Sequence, residues 1–298
     1  MVSQTNLSIL PRPFLKWAGG KSKLIQQYQA YFPKIFKTYY EPFLGGGAVF
    51  FHLQPFNAIL MDINAELINT YCCVRDHVEP LIERLAEHQS QHDSTYYYQM
   101  RSSLYSTSQQ NQITSAGSLT NEADIERAAK FIYLNKTCFN GLYRENSKGQ
   151  FNVPIGSYKN PQICQPDVLR SASACLKLIH LKVQPFANIL ELAKTSDDFV
   201  YFDPPYHPLN QTSNFTAYSR YSFSEADQIN LCDIFMQLSD RGVKLMLSNS
   251  DCPFIRKLYS SFKIHTISAP RSINSQIKKR GRVSELLVTS NLDYNDKN

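Results

Sequence analysis

Short apolar runs alternate with stretches of helical spacing toward both ends of the chain, and the middle lacks that alternation. The clearest run is Phe199-Val200-Tyr201-Phe202, whose aromatic and β-branched composition predicts a strand buried on both faces of a parallel sheet. Asp203-Pro204-Pro205-Tyr206 ends it, because each proline fixes φ and neither can donate to a ladder. A carboxylate and an aromatic ring are thus expected on a stiff turn at a strand's carboxyl end, where open α/β sheets place ligands. Upstream, helical spacing covers residues 23–31. Residues 38–43 then predict a strand entering Leu44-Gly45-Gly46-Gly47, residues 48–53 a helix, residues 58–61 a strand closing on Asp62, and residues 65–76 a helix. Strand, glycine turn, helix, strand and acidic end make one half of a nucleotide-binding sheet.

Between residues 78 and 165 no strand–helix alternation is found, which predicts a mainly helical insert. Helices are expected over 78–92 and 122–136, a mobile polar loop over 102–118, and an exposed loop or small hairpin over 140–161. Alternation resumes with strands over 180–183 and 199–203 and a helix over 224–239, opened by the capping pair Ser224 and Asp227. A strand over 243–247 ends at Ser248-Asn249-Ser250, and strands over 262–267 and 284–289 flank a basic loop, 270–283. The expected organisation is therefore α/β: a Rossmann-like sheet in two parts, 1–77 and 166–298, split by a mainly helical insert, 78–165.

Composition changes this picture little. Of 298 residues 43% are hydrophobic and 19% charged, as in ordinary globular proteins, and a net charge of +6 suits a polyanionic partner without requiring one. The seven cysteines include no C-x-x-C pair, which argues against a disulfide framework or a four-cysteine zinc site. His88 and His92 have a spacing that could share a metal, but Gln89 replaces the glutamate of H-E-x-x-H. A solvated helix face is expected there, and no metal. No basic-then-apolar leader and no run of 18 apolar residues occurs, so a cytoplasmic protein without membrane contact is expected.

Glu41-Pro42-Phe43-Leu44-Gly45-Gly46-Gly47 has glycines for a tight turn and close backbone approach, and Asp62 follows 21 residues after Glu41, where a carboxylate can take ribose hydroxyls. Gly19-Gly20-Lys21-Ser22 lacks the first glycine of a phosphate loop, since position 15 is Leu15. What remains is a lysine and a tryptophan, Trp17, beside a glycine turn, suited to a small carboxylate. A nucleoside-plus-carboxylate pocket facing Asp203 fits S-adenosylmethionine: ribose on Asp62, methionine carboxylate near Trp17 and Lys21, methyl sulfonium toward Asp203.

These motifs, with Phe14-Leu15-Lys16-Trp17-Ala18-Gly19-Gly20-Lys21, Asp62-Ile63-Asn64, Phe139-Asn140-Gly141-Leu142-Tyr143-Arg144 and Phe151-Asn152-Val153-Pro154, resemble the Dam-type DNA adenine-N6 methyltransferases of the alpha (D12) class, in that class's order and over residues 13–290. The resemblance implies methyl transfer from S-adenosylmethionine to adenine N6 in double-stranded DNA, within GATC, by base flipping. It implies that Asp203 and the Pro204 carbonyl accept from the exocyclic amine and that Tyr206 stacks on the extruded base. Trp17, Lys21, Phe43, Gly45, Asp62, Ile63, Phe186 and Asp203 would hold the cofactor. Pro185 stands where many relatives have an acidic residue, which leaves Phe186 the ring contact alone. Arg144 would read a guanine, with Phe139, Asn140, Leu142, Pro154 and Tyr158 beside it. A phosphate contact or a loop salt bridge is the other reading of Arg144. Arg271, Lys278, Lys279, Arg280 and Arg282 would clamp the DNA backbone or form a solvated run. A cognate restriction enzyme would share the site without forming a stable complex. A different acceptor, cytosine or a glutamine side chain, usually goes with Ser or Asn at the position of Asp203. A catalytically dead DNA-binding module would not need Trp17, Lys21, Asp62 and Asp203.

Overall fold

The computed structural model describes residues 9–103, 121–146, 148–209, 223–270 and 282–291. Its elements in chain order are α1 (Ile25–Tyr28), β1 (Thr38–Glu41), α2 (Ala48–Leu53), β2 (Ala58–Asp62), α3 (Ala65–Asp76), α4 (Val78–Ser90), α5 (Ser94–Ser103), α6 (Glu122–Thr137) and α7 (Pro166–Leu176). There follow β3 (His180–Val183), α8 (Ile189–Leu192), β4 (Asp198–Phe202), α9 (Glu225–Asp240), β5 (Lys244–Ser250), α10 (Pro253–Leu258), β6 (Lys263–Pro270) and β7 (Arg282–Thr289). Two compact units result: Met1–Gly20, Gly45–Gln54 and Asn64–Val183 in the first, and Lys21–Leu44, Pro55–Ile63 and Gln184–Asn298 in the second. Among the described residues no helix is long and apolar enough to cross a membrane.

The fold is mixed α/β, and of the seven strands among the described residues six lie in the second unit, ordered β2-β1-β4-β5-β7-β6. β4 is buried along its whole length and pairs in parallel with β1 on one side and β5 on the other, which is why its sequence is continuously apolar instead of alternating. β7 runs antiparallel to both β5 and β6. Val200, Phe202, Leu245 and Leu247 form a core with Leu231 and Phe235 of α9. The capping box expected at Ser224 is present: its hydroxyl accepts from Asp227 N at 3.2 Å and Asp227 Oδ2 accepts from Ser224 N at 2.7 Å. β1 stops at Glu41, two residues short of expectation, because Pro42 has no amide hydrogen to continue the ladder.

The first unit is mainly helical. α6 runs through its middle, with Phe131, Ile132, Tyr133, Leu134, Asn135 and Lys136 all buried, so its second half is enclosed all round instead of showing one apolar face. Asn121 and Asp124 close a second capping box at its start.

Three expectations need correction. The helix foreseen over 23–31 is α1 flanked by 3-10 turns, and Pro33 drives Phe32 into the extended region beyond it. The polar stretch expected from residue 102 onward begins inside α5, a helix held by Tyr97, which is fully buried and donates to Val153 O at 2.9 Å; residues 104–120 lie outside the described residues. His88 and His92 do not lie on a solvated face. His88 is 4% exposed and shares a 2.6 Å hydrogen bond with Tyr96, and His92 shares one of 2.9 Å with Tyr133, because α5 and α6 cover that side of α4 with phenols. Burial lowers the pKa of both rings. Among the described residues no three His, Cys, Asp or Glu side chains are grouped to hold a metal ion.

Candidate active site

Chain order reverses between β1 and β4: β1 passes on to β2 on one side, β4 to β5 on the other. At such a switch point the loops leaving the carboxyl ends diverge and open a crevice. The turn after β4 stands there with Asp203 at its head. Oδ1 of Asp203 carries two partners, Lys21 Nζ at 2.7 Å and Ser248 Oγ at 2.7 Å. A carboxylate cannot donate, so Ser248 gives its proton to Asp203 and takes one from Tyr201, whose hydroxyl is 2.9 Å away. Burial holds the Tyr201 phenol protonated, as this chain of donors requires. Among the described residues no hydrogen bond reaches Asp203 Oδ2 or the Pro204 carbonyl.

The far side of the turn is held by a buried amide relay. Gln228 of α9 donates from Nε2 to Pro205 O at 2.9 Å and accepts through Oε1 from Asn249 Nδ2 at 3.0 Å. Asn249 Oδ1 in turn accepts from the amides of His207 at 3.2 Å and Ser250 at 2.8 Å. The relay seizes the backbone on both sides of Tyr206 and leaves that residue's ring as the element it presents. Tyr206 donates to Glu285 Oε2 on β7 at 2.7 Å, and Lys21 Nζ lies 4.7 Å from its ring centroid. Lys21 is 3% exposed, so its charge is matched inside the unit. Lys21, expected to hold the cofactor, is the ion-pair partner of Asp203.

Other expected cofactor residues of this unit stand at neighbouring strand ends. Asp62 closes β2, and its carbonyl accepts from Gln184 N at 3.2 Å, which brings the segment leading to Phe186 beside it. Phe186 stacks on Phe43 with centroids 5.2 Å apart and planes at 25°, and Phe223 meets both rings. Ile63 is half exposed, at 49%.

Trp17 and Gly45 belong to the first unit. Gly45 takes φ 48°, and a Cβ there would stand 2.7 Å from Trp17 Cδ1 and 2.8 Å from Nε1, so the turn needs glycine both for its backbone and for the indole against it. Trp17 stacks with Tyr143 at 5.8 Å and Phe131 at 6.5 Å. One turn along α6 from Phe131, buried Asn135 accepts from Lys16 N at 2.8 Å and donates to Lys16 O at 2.6 Å and Gly141 O at 3.3 Å. Lys16 and the start of the segment that opens at Phe139 are therefore fastened to one side chain.

That segment forms a small hairpin with antiparallel bridges Cys138–Ile155 and Glu145–Phe151, and Leu142, Phe151 and Val153 are buried beneath it. Asn140 adopts a left-handed φ of 55° at the hairpin's start. Phe139, Asn140, Pro154 and Tyr158 are exposed, whereas Leu142 is only 8% exposed. Arg144 Nε donates to Asn152 Oδ1 at 2.7 Å, and Lys16 Nζ sits 3.8 Å above the Tyr158 ring. Arg271, Lys278, Lys279 and Arg280 of the basic loop lie outside the described residues, as does the side chain of Arg282.

Ser248, Asn249, Gln228 and Glu285 belong to none of the motifs that mark the site in the sequence. Each breaks a local rule: polar residues closing a buried strand, an amide on the inner face of a helix, a carboxylate leading an apolar run. Their common signal is polarity where burial was expected.

The family model for the D12 class N6 adenine-specific DNA methyltransferases matches residues 17–273. The Type II methyltransferase M1.LlaDCHI of Lactococcus lactis subsp. cremoris is 43% identical over 281 residues, covering 94% of this chain and 95% of the relative. The Type II methyltransferase M.MjaIII of Methanocaldococcus jannaschii is 41% identical, covering 93% of this chain and 98% of its own. The DNA adenine methylase of Escherichia coli K12 is 34% identical, covering 93% and 94%. With an α/β sheet that puts an Asp-Pro-Pro-Tyr turn at its switch point, and similarity running nearly end to end, the chain belongs to the D12 class of adenine-specific DNA methyltransferases and is an enzyme that methylates adenine N6 in DNA.

Proposed function

We propose that the enzyme takes its methyl group from S-adenosylmethionine and delivers it to an adenine flipped out of double-stranded DNA within GATC. The observation that carries the reading is the state of Asp203: Oδ1 is anchored by Lys21 and Ser248, and Oδ2 is left to accept a hydrogen bond. An amine donating to Oδ2 and to the Pro204 carbonyl has its nitrogen lone pair drawn out of conjugation with the base and aimed at the incoming methyl. Tyr206 then supplies a stacking surface that offsets part of the unstacking cost, a few kcal/mol. Most of the rate enhancement comes from holding the two reactants in line, which a turn clamped by Gln228 and Asn249 is suited to do.

The residues present fit S-adenosylmethionine. Asp62 closes a strand next to the switch point, as a ribose acceptor does. Phe43 and Phe186 offer ring surfaces for an adenine, Ile63 an exposed apolar side chain, and Lys21 an ammonium beside Asp203. Trp17 and Gly45 keep the cofactor assignment their motifs give them. When bound, S-adenosylmethionine supplies an electrophilic methyl on a sulfonium centre.

Arg144, with Phe139, Asn140, Leu142, Pro154 and Tyr158, is assigned to reading the site, and its guanidinium fork suits a guanine edge. A DNA substrate implies work in the cytoplasm. The Type II names of two relatives support a cognate restriction enzyme that shares the site without binding this chain stably.

The test is to methylate a mixed-sequence DNA, map the modified bases and repeat with Asp203→Ala. Wild type should mark adenine N6 within GATC. The variant, folded by circular dichroism, should lose at least a hundredfold in kcat, the order seen when a transition-state hydrogen-bond partner is removed. Modification outside GATC overturns the specificity, and near-normal turnover by the variant overturns the mechanism.

A further inference from the structure

We propose that Glu285 is a positioning residue for the target base: its carboxylate holds the phenol of Tyr206 and so sets the plane on which the extruded adenine stacks. The inference rests on Tyr206 being the stacking surface. Glu285 lies on β7, an inner strand bonded to Ser250 of β5 on one side and Ile267 of β6 on the other. Its neighbours Leu286, Leu287 and Val288 are fully buried. A strand so placed has little use for a carboxylate. Burial raises the pKa of Glu285 and the nearby Asp203 charge adds to that, while Lys21 and the Tyr206 hydrogen bond pull it down. An apolar side chain would avoid that desolvation, so stability alone does not explain a glutamate here.

The geometry supplies the reason. A tyrosine after two prolines has its backbone fixed, with Pro205 O and His207 N both tied to the buried amides, but two side-chain torsions remain. The 2.7 Å bond from the hydroxyl to Glu285 Oε2 restrains the ring at its tip, and the Lys21 ammonium 4.7 Å from the centroid restrains its face. Burial keeps the Tyr206 phenol protonated, so it remains a donor. Lys21 also holds Asp203, so one cation links the acceptor of the amine to the ring beneath the base. A ring left to turn would present the adenine with its amine out of line with Asp203.

The experiment compares Tyr206→Phe, Tyr206→Ala, Glu285→Gln and Glu285→Leu, and the Tyr206→Phe/Glu285→Leu double variant. Each is read by kcat on a GATC duplex and, without cofactor, by the emission of a duplex carrying 2-aminopurine at the target position. Glu285→Gln retains an acceptor oxygen and should stay within about threefold of wild type. Tyr206→Phe and Glu285→Leu should each lower kcat about ten- to a hundredfold, as loss of a hydrogen bond to a charged group does, and should shift the 2-aminopurine emission in the same way. The double variant should be no worse than either single one. Additive losses, or a Glu285→Gln variant as impaired as Glu285→Leu, overturn the proposal. If Glu285→Leu fails to fold, Tyr206→Phe decides: wild-type kcat and emission overturn it. Should Tyr206→Ala also behave as wild type, it is the stacking role of Tyr206 that fails, whereas a damaged Tyr206→Ala beside a normal Tyr206→Phe removes only Glu285.

Discussion

Replacing Gln228 with leucine tests whether the buried amide relay shapes the catalytic turn. The side chains are of similar size, so the change removes two hydrogen bonds with little loss of volume. Gln228 is 1% exposed and Asn249 fully buried, so Asn249 Nδ2, deprived of Gln228 Oε1, has no water to turn to. An orphaned buried polar group costs about 1–3 kcal/mol, and the upper end applies to Asn249. Pro205 is exposed, so water can reach its carbonyl and the low end applies there. Together these give a destabilisation of roughly 2–4 kcal/mol, read as a fall in melting temperature of about 4–16 °C. The activity loss should be larger than a uniform loosening would give, because a misplacement of about 1 Å near reacting atoms can cost on the order of a hundredfold. The assay is kcat on a GATC duplex at a temperature where the variant is folded. Gln228→Glu makes the cause visible. Its carboxylate still accepts from Asn249 but repels the Pro205 carbonyl, whereas the protonated acid can donate to it. Burial raises the pKa of such an acid, so the damage should be greatest at high pH and recede as pH falls through that raised value. If Gln228→Leu melts within a degree of wild type and keeps kcat within about twofold, the relay does not shape the turn.

Ser248→Ala removes one of the two anchors on Asp203 Oδ1 and should lower kcat about ten- to a hundredfold with cofactor affinity unchanged; a fall in affinity alone would show that Ser248 serves the cofactor. Gly45→Ala drives a Cβ to 2.7 Å from the Trp17 ring and adds about 1–2 kcal/mol of left-handed strain. Trp17 is the only tryptophan, so its emission should shift as the cofactor dissociation constant rises about tenfold or more, and an unchanged spectrum would refute the displacement. Arg144→Ala should narrow the gap in kcat/KM between GATC and singly substituted duplexes about five- to a hundredfold. Equal losses on every duplex with a salt slope flatter by about one would show a phosphate contact instead.

Local chemistry made much of the fold legible. The helix at Ala65–Asp76 and the strand at His180–Val183 occupy the residues their patterns predict, and β4 and α9 are each shifted by one residue at both ends. The strand ends carrying Asp62 and Asp203 follow from apolar runs stopped by turn-forming residues, a property of neighbours in sequence. α5 and α7 were missed for opposite reasons. α5 is rich in Ser and Tyr, poor helix formers, and is held by the burial of Tyr97; α7 starts at Pro166, where proline suits the first helical turn although it reads as a break. Chain order and composition by themselves determined an α/β sheet, an Asp-Pro-Pro-Tyr turn at a strand end and a membership written in short motifs. Tertiary structure alone decided which polar groups meet. Tyr206 and Glu285 are 79 residues apart, Asp203 and Ser248 are 45 apart, and His88 faces tyrosines brought by other helices. Sequence spacing says which face a side chain takes, but a buried polar group must satisfy its hydrogen bonds with whatever the fold lays against it.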